Sequence, residues 1–81
     1  MSGPLADRIA ELVCAASDGR LPAEEVLRSQ GSLSALGLTS LGLLRLIDAI
    51  EDEFGVVLDL GSGAHLDSFP LLVGRVAEST P

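Results

Sequence analysis

Residues 40–54 read Ser40-Leu-Gly-Leu-Leu-Arg-Leu-Ile-Asp-Ala-Ile-Glu-Asp-Glu-Phe54, and this stretch decides the fold. At about 100° per residue, Leu43, Leu46, Ile47, Ile50 and Phe54 fall within one narrow stripe. That is the core face of an amphipathic helix. Leu41 and Leu44 fall off the stripe, beside Arg45, Asp48, Glu51 and Asp52. A single exposed leucine is ordinary. Two on one face just after a helix start, inside an acidic rim, make a candidate docking surface. Gly55 follows as a C-cap glycine.

Upstream, residues 4–17 predict a first helix, with Leu5, Ile9, Leu12, Val13 and Ala16 as its apolar stripe. Asp7 and Glu11 sit early, where the helix dipole favours anions. Ser17-Asp18-Gly19 ends it, and Cys14 falls away from the stripe, which predicts partial exposure. Residues 18–39 read as a long connection with a short turn of helix over Leu21–Glu25, anchored by Leu27, Leu33, Leu36 and Leu38. A connection this long without structure is uncommon and often functional.

Downstream, residues 56–66 begin β-branched, but a lone strand has nothing to pair with. They read as a second connection with a helical turn near 62–66. Residues 68–78 predict the last helix, capped by Asp67 or Ser68, with Pro70 in its first turn. Phe69, Leu72, Val73 and Val76 form its stripe. Gly74 costs a helix about 1 kcal/mol against Ala, which predicts a close helix crossing there. Three main helices plus a short one give an all-α, small four-helix bundle: one domain over residues 1–81 with frayed termini.

Composition narrows the function. At 81 residues the core is thin, which excludes most self-contained enzymes. The formal net charge is −7, from 12 acidic residues against 5 cations, all of them Arg. That opposes nucleic-acid binding, which runs on phosphate neutralisation, and docking on anionic lipid. It favours partners with basic patches. Phe54 and Phe69 are the only aromatics, so base-stacking platforms are absent. One cysteine excludes an internal disulfide framework and a Cys-based zinc site. Neither a basic signal-type N-terminus nor an apolar run of membrane-spanning length occurs. The expectation is a soluble, cytoplasmic, monomeric module.

Few residues offer chemistry. Gly37-Leu-Thr-Ser-Leu-Gly42 approaches the G-x-S-x-G elbow of hydrolases with the wrong spacing and no strand before it. His65, the only histidine, sits in a Gly/Ser loop, and nothing brings it to Ser40. Gly61-Ser-Gly-Ala-His-Leu66 lacks the third glycine of a dinucleotide loop. Asp48, Glu51, Asp52 and Glu53 lack calcium-loop spacing and read as a solvated helix face. Cys14 reads as a structural or incidental thiol. No catalytic residue and no metal site is assigned. Ser40 remains; on position alone, a serine at a helix start is a cap.

Its context says more. Leu36-Gly-Leu-Thr-Ser-Leu41, followed by an acidic helix through Glu51 to Phe54, resembles the acyl/peptidyl carrier proteins. That family's pattern is Leu-Gly-x-Asp-Ser-Leu, then roughly a dozen residues to Glu-x-x-Phe. Leu36, Gly37, Ser40, Leu41, Glu51 and Phe54 match it. Leu33 stands where the family has another apolar residue, and the last helix, with Leu72 and Val76, is similar to the family's closing helix. The resemblance covers nearly the whole chain.

It implies a four-helix bundle whose Ser40 receives 4′-phosphopantetheine from coenzyme A through a phosphopantetheinyl transferase. The arm's thiol would hold cargo as a thioester, and the carrier itself would do no chemistry. Partners would be the transferase, an acyl- or aminoacyl-loading enzyme and a downstream synthase. They would meet a face built of Thr39, Leu41, Leu44, Arg45, Asp48, Glu51 and Asp52.

Two positions depart from the pattern. Thr39 stands where the family has an Asp associated with transferase recognition, and Arg45 where an acid is frequent. Leu38 replaces the second glycine of the peptidyl type and is similar to the acyl type. The expectation is an acyl carrier for polyketide or related specialised biosynthesis. The alternatives are a discrete aminoacyl or peptidyl carrier of a nonribosomal pathway, or an unmodified adaptor that uses the Leu41/Leu44 face for binding alone. Met1 and the short tails favour a discrete protein over an excised domain.

Overall fold

Three helices with one apolar stripe each must share a core, and the stripes set how they meet. The computed structural model describes residues 3–29, 32–58 and 68–79. These form α1 (Pro4–Ala16), α2 (Ala23–Arg28), α3 (Leu33–Leu36), α4 (Ser40–Phe54) and α5 (Phe69–Ser79). Helix α1 packs against α2, α4 and α5. The domain is all-α, as the periodicities predict. Among the described residues the β pairing is one isolated bridge between Ser32 and Ser68.

Helix α1 buries Ala6, Ile9, Ala10 and Val13, with Leu5, Leu12 and Ala16 on its flanks. It stops one residue short of the predicted end. The Ser17 hydroxyl donates to the Cys14 carbonyl (2.8 Å) and accepts from the Leu21 amide (3.0 Å), which turns the chain out of the helix. Asp18 then takes a left-handed φ of 59°, a conformation Asp tolerates better than most residues. Cys14 is half-buried, as expected.

The connection over 18–39 holds more helix than its sequence suggests. The turn expected at Leu21–Glu25 is the six-residue α2, with Pro22 as N-cap rather than inside the first turn. Glu24 and Glu25 in its first turn and Arg28 in its last complement the dipole. Helix α3 is a single turn within the stretch read as loop. The Ser32 hydroxyl accepts from the Ala35 amide (3.0 Å), and Gly37 closes it. The apolar anchors hold: Leu33 and Leu38 are buried, and Leu27 and Leu36 pack against the core. Leu21 and Val26 join them.

Helix α5 buries Phe69, Leu72 and Val76. The close crossing expected at Gly74 is not there. Gly74 is exposed, and a Cβ built on it would meet nothing within 4 Å. Residues 56–58 run in–out–in, with Val56 and Leu58 buried and Val57 87% exposed; they form no strand. The turn expected near 62–66, His65 and the Asp67 cap lie outside the described residues. No helix among the described residues is long and apolar enough to cross a membrane.

One ion pair ties the first and fourth helices on the surface. Arg8 donates to both carboxylate oxygens of Glu53 (2.6 Å each) and to Glu11 (3.0 Å). The bidentate bond from Arg8 holds the Glu53 carboxyl below its usual range.

Candidate functional site

The start of α4 is built by a division of roles between adjacent residues. Thr39 is extended (φ −78°, ψ 168°), and its Oγ1 accepts from the Gly42 amide at 3.0 Å. Its carbonyl accepts from the Leu43 amide at 2.8 Å. Thr39 is therefore the N-cap, and Ser40 is the first residue of the helix proper. The capping role that position alone assigns to Ser40 belongs to its neighbour. Ser40 is exposed, and its hydroxyl makes no hydrogen bond among the described residues.

Gly42 keeps this turn tight. A Cβ on it would lie 2.7 Å from Leu38 Cδ1 and 3.3 Å from Thr39 Oγ1. Leu38, itself only 5% exposed, thus packs directly over the backbone of the first turn of α4. The segment Gly37–Thr39 is pinned from inside while Ser40 faces out.

The two faces of α4 fall as the periodicity predicts. Leu46, Ile47 and Ile50 are buried, and Leu43 and Phe54 pack at the core's edge. Leu41 and Leu44 are 58% and 51% exposed. Arg45, Asp48 and Asp52 are exposed beside them. Glu51 departs from the expected rim. It is half-buried, and its Oε2 accepts from the Leu58 amide at 2.7 Å, so its carboxylate holds down the chain beyond Gly55. Gly55 closes α4 at φ 67°, the left-handed conformation glycine adopts without strain. Among the described residues no acidic, His or Cys cluster could hold a metal ion.

Beside the first turns of α4 lies a cleft of about 180 Å³. Its walls include Ser17, Asp18 and Arg20 from the turn after α1, and Thr39, Leu41 and Arg45 from α4. Arg45 Nη1 stands 3.8 Å from Asp18 Oδ2. Sequence reasoning brought Arg45 to the docking face but missed Arg20 and Asp18, which come from a turn about twenty residues upstream. A second, apolar groove of about 350 Å³ is lined by Ala6, Leu27, Phe69, Val73 and their neighbours, and shares no residue with α4.

This small helical domain presents an unengaged serine at the head of an amphipathic helix. The family described as "Phosphopantetheine attachment site" matches residues 7–62, from α1 through α4 and beyond. The chain belongs to this family, whose domains are the sites of covalent 4′-phosphopantetheine attachment. Comparison with curated proteins and with solved structures found no match. Carrier domains of this family are generally non-catalytic and interact with phosphopantetheinyl transferases and synthases.

Proposed function

We propose that Ser40 bears the phosphopantetheine arm and that residues 1–81 act as one monomeric acyl carrier domain, itself without catalytic activity, in polyketide or related specialised biosynthesis. The observation that carries this reading is the hydroxyl of Ser40, exposed and unengaged because Thr39 caps the helix. In loading, the Ser40 oxygen forms a bond to the phosphorus of coenzyme A that bears the pantetheine, and loses its proton. The bond to the second phosphorus breaks, and 3′,5′-ADP leaves. The chain's part is to present that oxygen without unwinding α4. The first-turn N–H groups of α4 also favour a negative phosphodiester at this position. Once attached, the arm supplies a terminal thiol that holds acyl groups as thioesters.

Leu41 and Leu44 form the apolar anchor for the transferase, the loading enzyme and the synthase. Asp48 and Asp52 attract basic patches on them. Thr39 and Arg45 border the anchor and differentiate partners. Glu51 contributes by fixing the chain behind the helix. The acyl assignment is supported by Leu38. A peptidyl-type glycine at that position could not fill the space over Gly42.

The test is intact-protein mass after incubation with coenzyme A and a broad-specificity transferase. The wild type should gain one phosphopantetheine, and Ser40→Ala should gain none. If the wild type stays unmodified, Thr39→Asp restores the family's residue while keeping a capping side chain. A folded Thr39→Asp variant that also gains no mass would replace the carrier reading with that of an unmodified adaptor.

A further inference from the structure

Two lightly engaged arginines, Arg20 and Arg45, stand together among the described residues. Arg8 is clamped by Glu53 and Glu11, and Arg28 Nε donates to the Glu24 carbonyl. Arg20 makes no ion pair and no side-chain hydrogen bond among the described residues. Arg45 has only its 3.8 Å approach to Asp18, beyond hydrogen-bonding distance. With 12 acidic residues available to 5 cations, two under-used guanidinium groups at one place need an account. Both line the same cleft, and so do Thr39 and Leu41, the chain neighbours of Ser40 on either side. A concave site with two arginines suits a small anion, and guanidinium forks match phosphate oxygens.

We infer that the cleft between the turn after α1 and the head of α4 holds the phosphate end of the arm against Arg20 and Arg45. The arm then leaves Ser40 along the α1 side of the domain instead of swinging freely. Asp18 opposes this, since it lines the same cleft and draws Arg45 toward itself. Arg45 exchanges Asp18 for the phosphodiester on loading. This rests on Ser40 as the attachment site, and the test separates the two.

The experiment compares isotope-labelled apo and loaded wild type by NMR, with loading followed by intact mass. The backbone amides of Ser17, Asp18 and Arg20, on the wall formed by the turn after α1, should shift on loading, as should the Nε–H signals of both arginines. The shifts should vanish in about 1 M salt, where the Debye length is about 3 Å. They should shrink in loaded Arg20→Gln and Arg45→Gln and grow in Asp18→Asn. The wild-type comparison decides by itself, so slow loading of a variant leaves the test intact.

Full loading by mass with these signals unmoved would overturn the cleft proposal and leave the Ser40 assignment standing. Signals that stay unmoved on loading but shift when the transferase is added would assign the cleft to a partner's carboxylate and overturn it equally. A wild type that gains no mass removes both.

Discussion

Consider the same substitution at two helical glycines, Gly42→Ala and Gly74→Ala. In a helix interior Ala is favoured over Gly by about 0.8–1.0 kcal/mol. At Gly74 a new methyl meets nothing within 4 Å, so nearly all of that gain is realised. For a domain of this size it corresponds to a rise in Tm of about 4–8 °C. At Gly42 the methyl would lie 2.7 Å from Leu38 Cδ1, where carbon pairs prefer about 3.5–4.0 Å. Leu38 is 5% exposed and cannot swing aside without opening the core. Overpacking of this kind costs about 1–3 kcal/mol. After the propensity gain, Gly42→Ala should lose about 0–2 kcal/mol. The assay is urea denaturation followed by helical circular dichroism. Leu38→Ala alone should cost about 2–5 kcal/mol. It also removes the clash, so adding Gly42→Ala to it should turn a loss into a gain. If Gly42→Ala stabilised the wild type as much as Gly74→Ala does, the account of how Leu38 seats the first turn of α4 would be refuted.

The two faces of α4 predict a sharp contrast: Leu46→Ala should cost about 2–5 kcal/mol in the same assay, and Leu44→Ala within about 0.5 kcal/mol. Equal losses would reverse the face assignment. Glu51→Ala orphans the Leu58 amide and should cost about 1–3 kcal/mol, and Glu51→Gln, which keeps an acceptor, should recover most of it. Because Arg8 lowers the Glu53 pKa in the folded state, the pair's contribution is present above the ordinary carboxylate pKa of about 4.3 and is lost as pH falls through the lowered value. Urea midpoints taken below about pH 4.3 should therefore fall more steeply for the wild type than for Arg8→Gln, and identical profiles would mean that the surface pair does not couple to folding.

The long amphipathic segments were the readable part of this chain. Helix α4 begins at Ser40 and ends at Phe54 as its stripe and Gly55 indicate, because both signals are local. Helix α3 escaped notice because one turn is too short for any period to show, and it stands on a Ser32 cap and Leu33 burial. Gly74 drew attention by its propensity penalty, but among the described glycines the one with a packing role is Gly42. Its constraint comes from Leu38, which lies outside the helix and has no periodic relation to it. At the site, the exposure of Leu41 and Leu44 followed from the helical wheel. The choice of cap did not, since Thr39 and Ser40 are both good N-caps and only the bond to the Gly42 amide decides. The use of Glu51 by Leu58, and the placing of Arg20 and Arg45 on one cleft, depend on how distant turns return to α4.

With Ser40 as the proposed attachment site, the Thr39 cap makes position 40 a replaceable port. A helix that closed on its own modifiable serine would be rebuilt each time that serine was esterified or restored. Here the closing bond sits one residue upstream and survives either event. Position 40 can therefore be rewritten without rewriting the scaffold. On that proposal, alanine there gives a permanently empty carrier with an intact helix. Aspartate there is a fixed negative charge at the helix head, where the dipole accepts it. Such blanks and stand-ins allow the architecture of a partner complex to be captured in a chosen state, independently of the enzymes that fill the port.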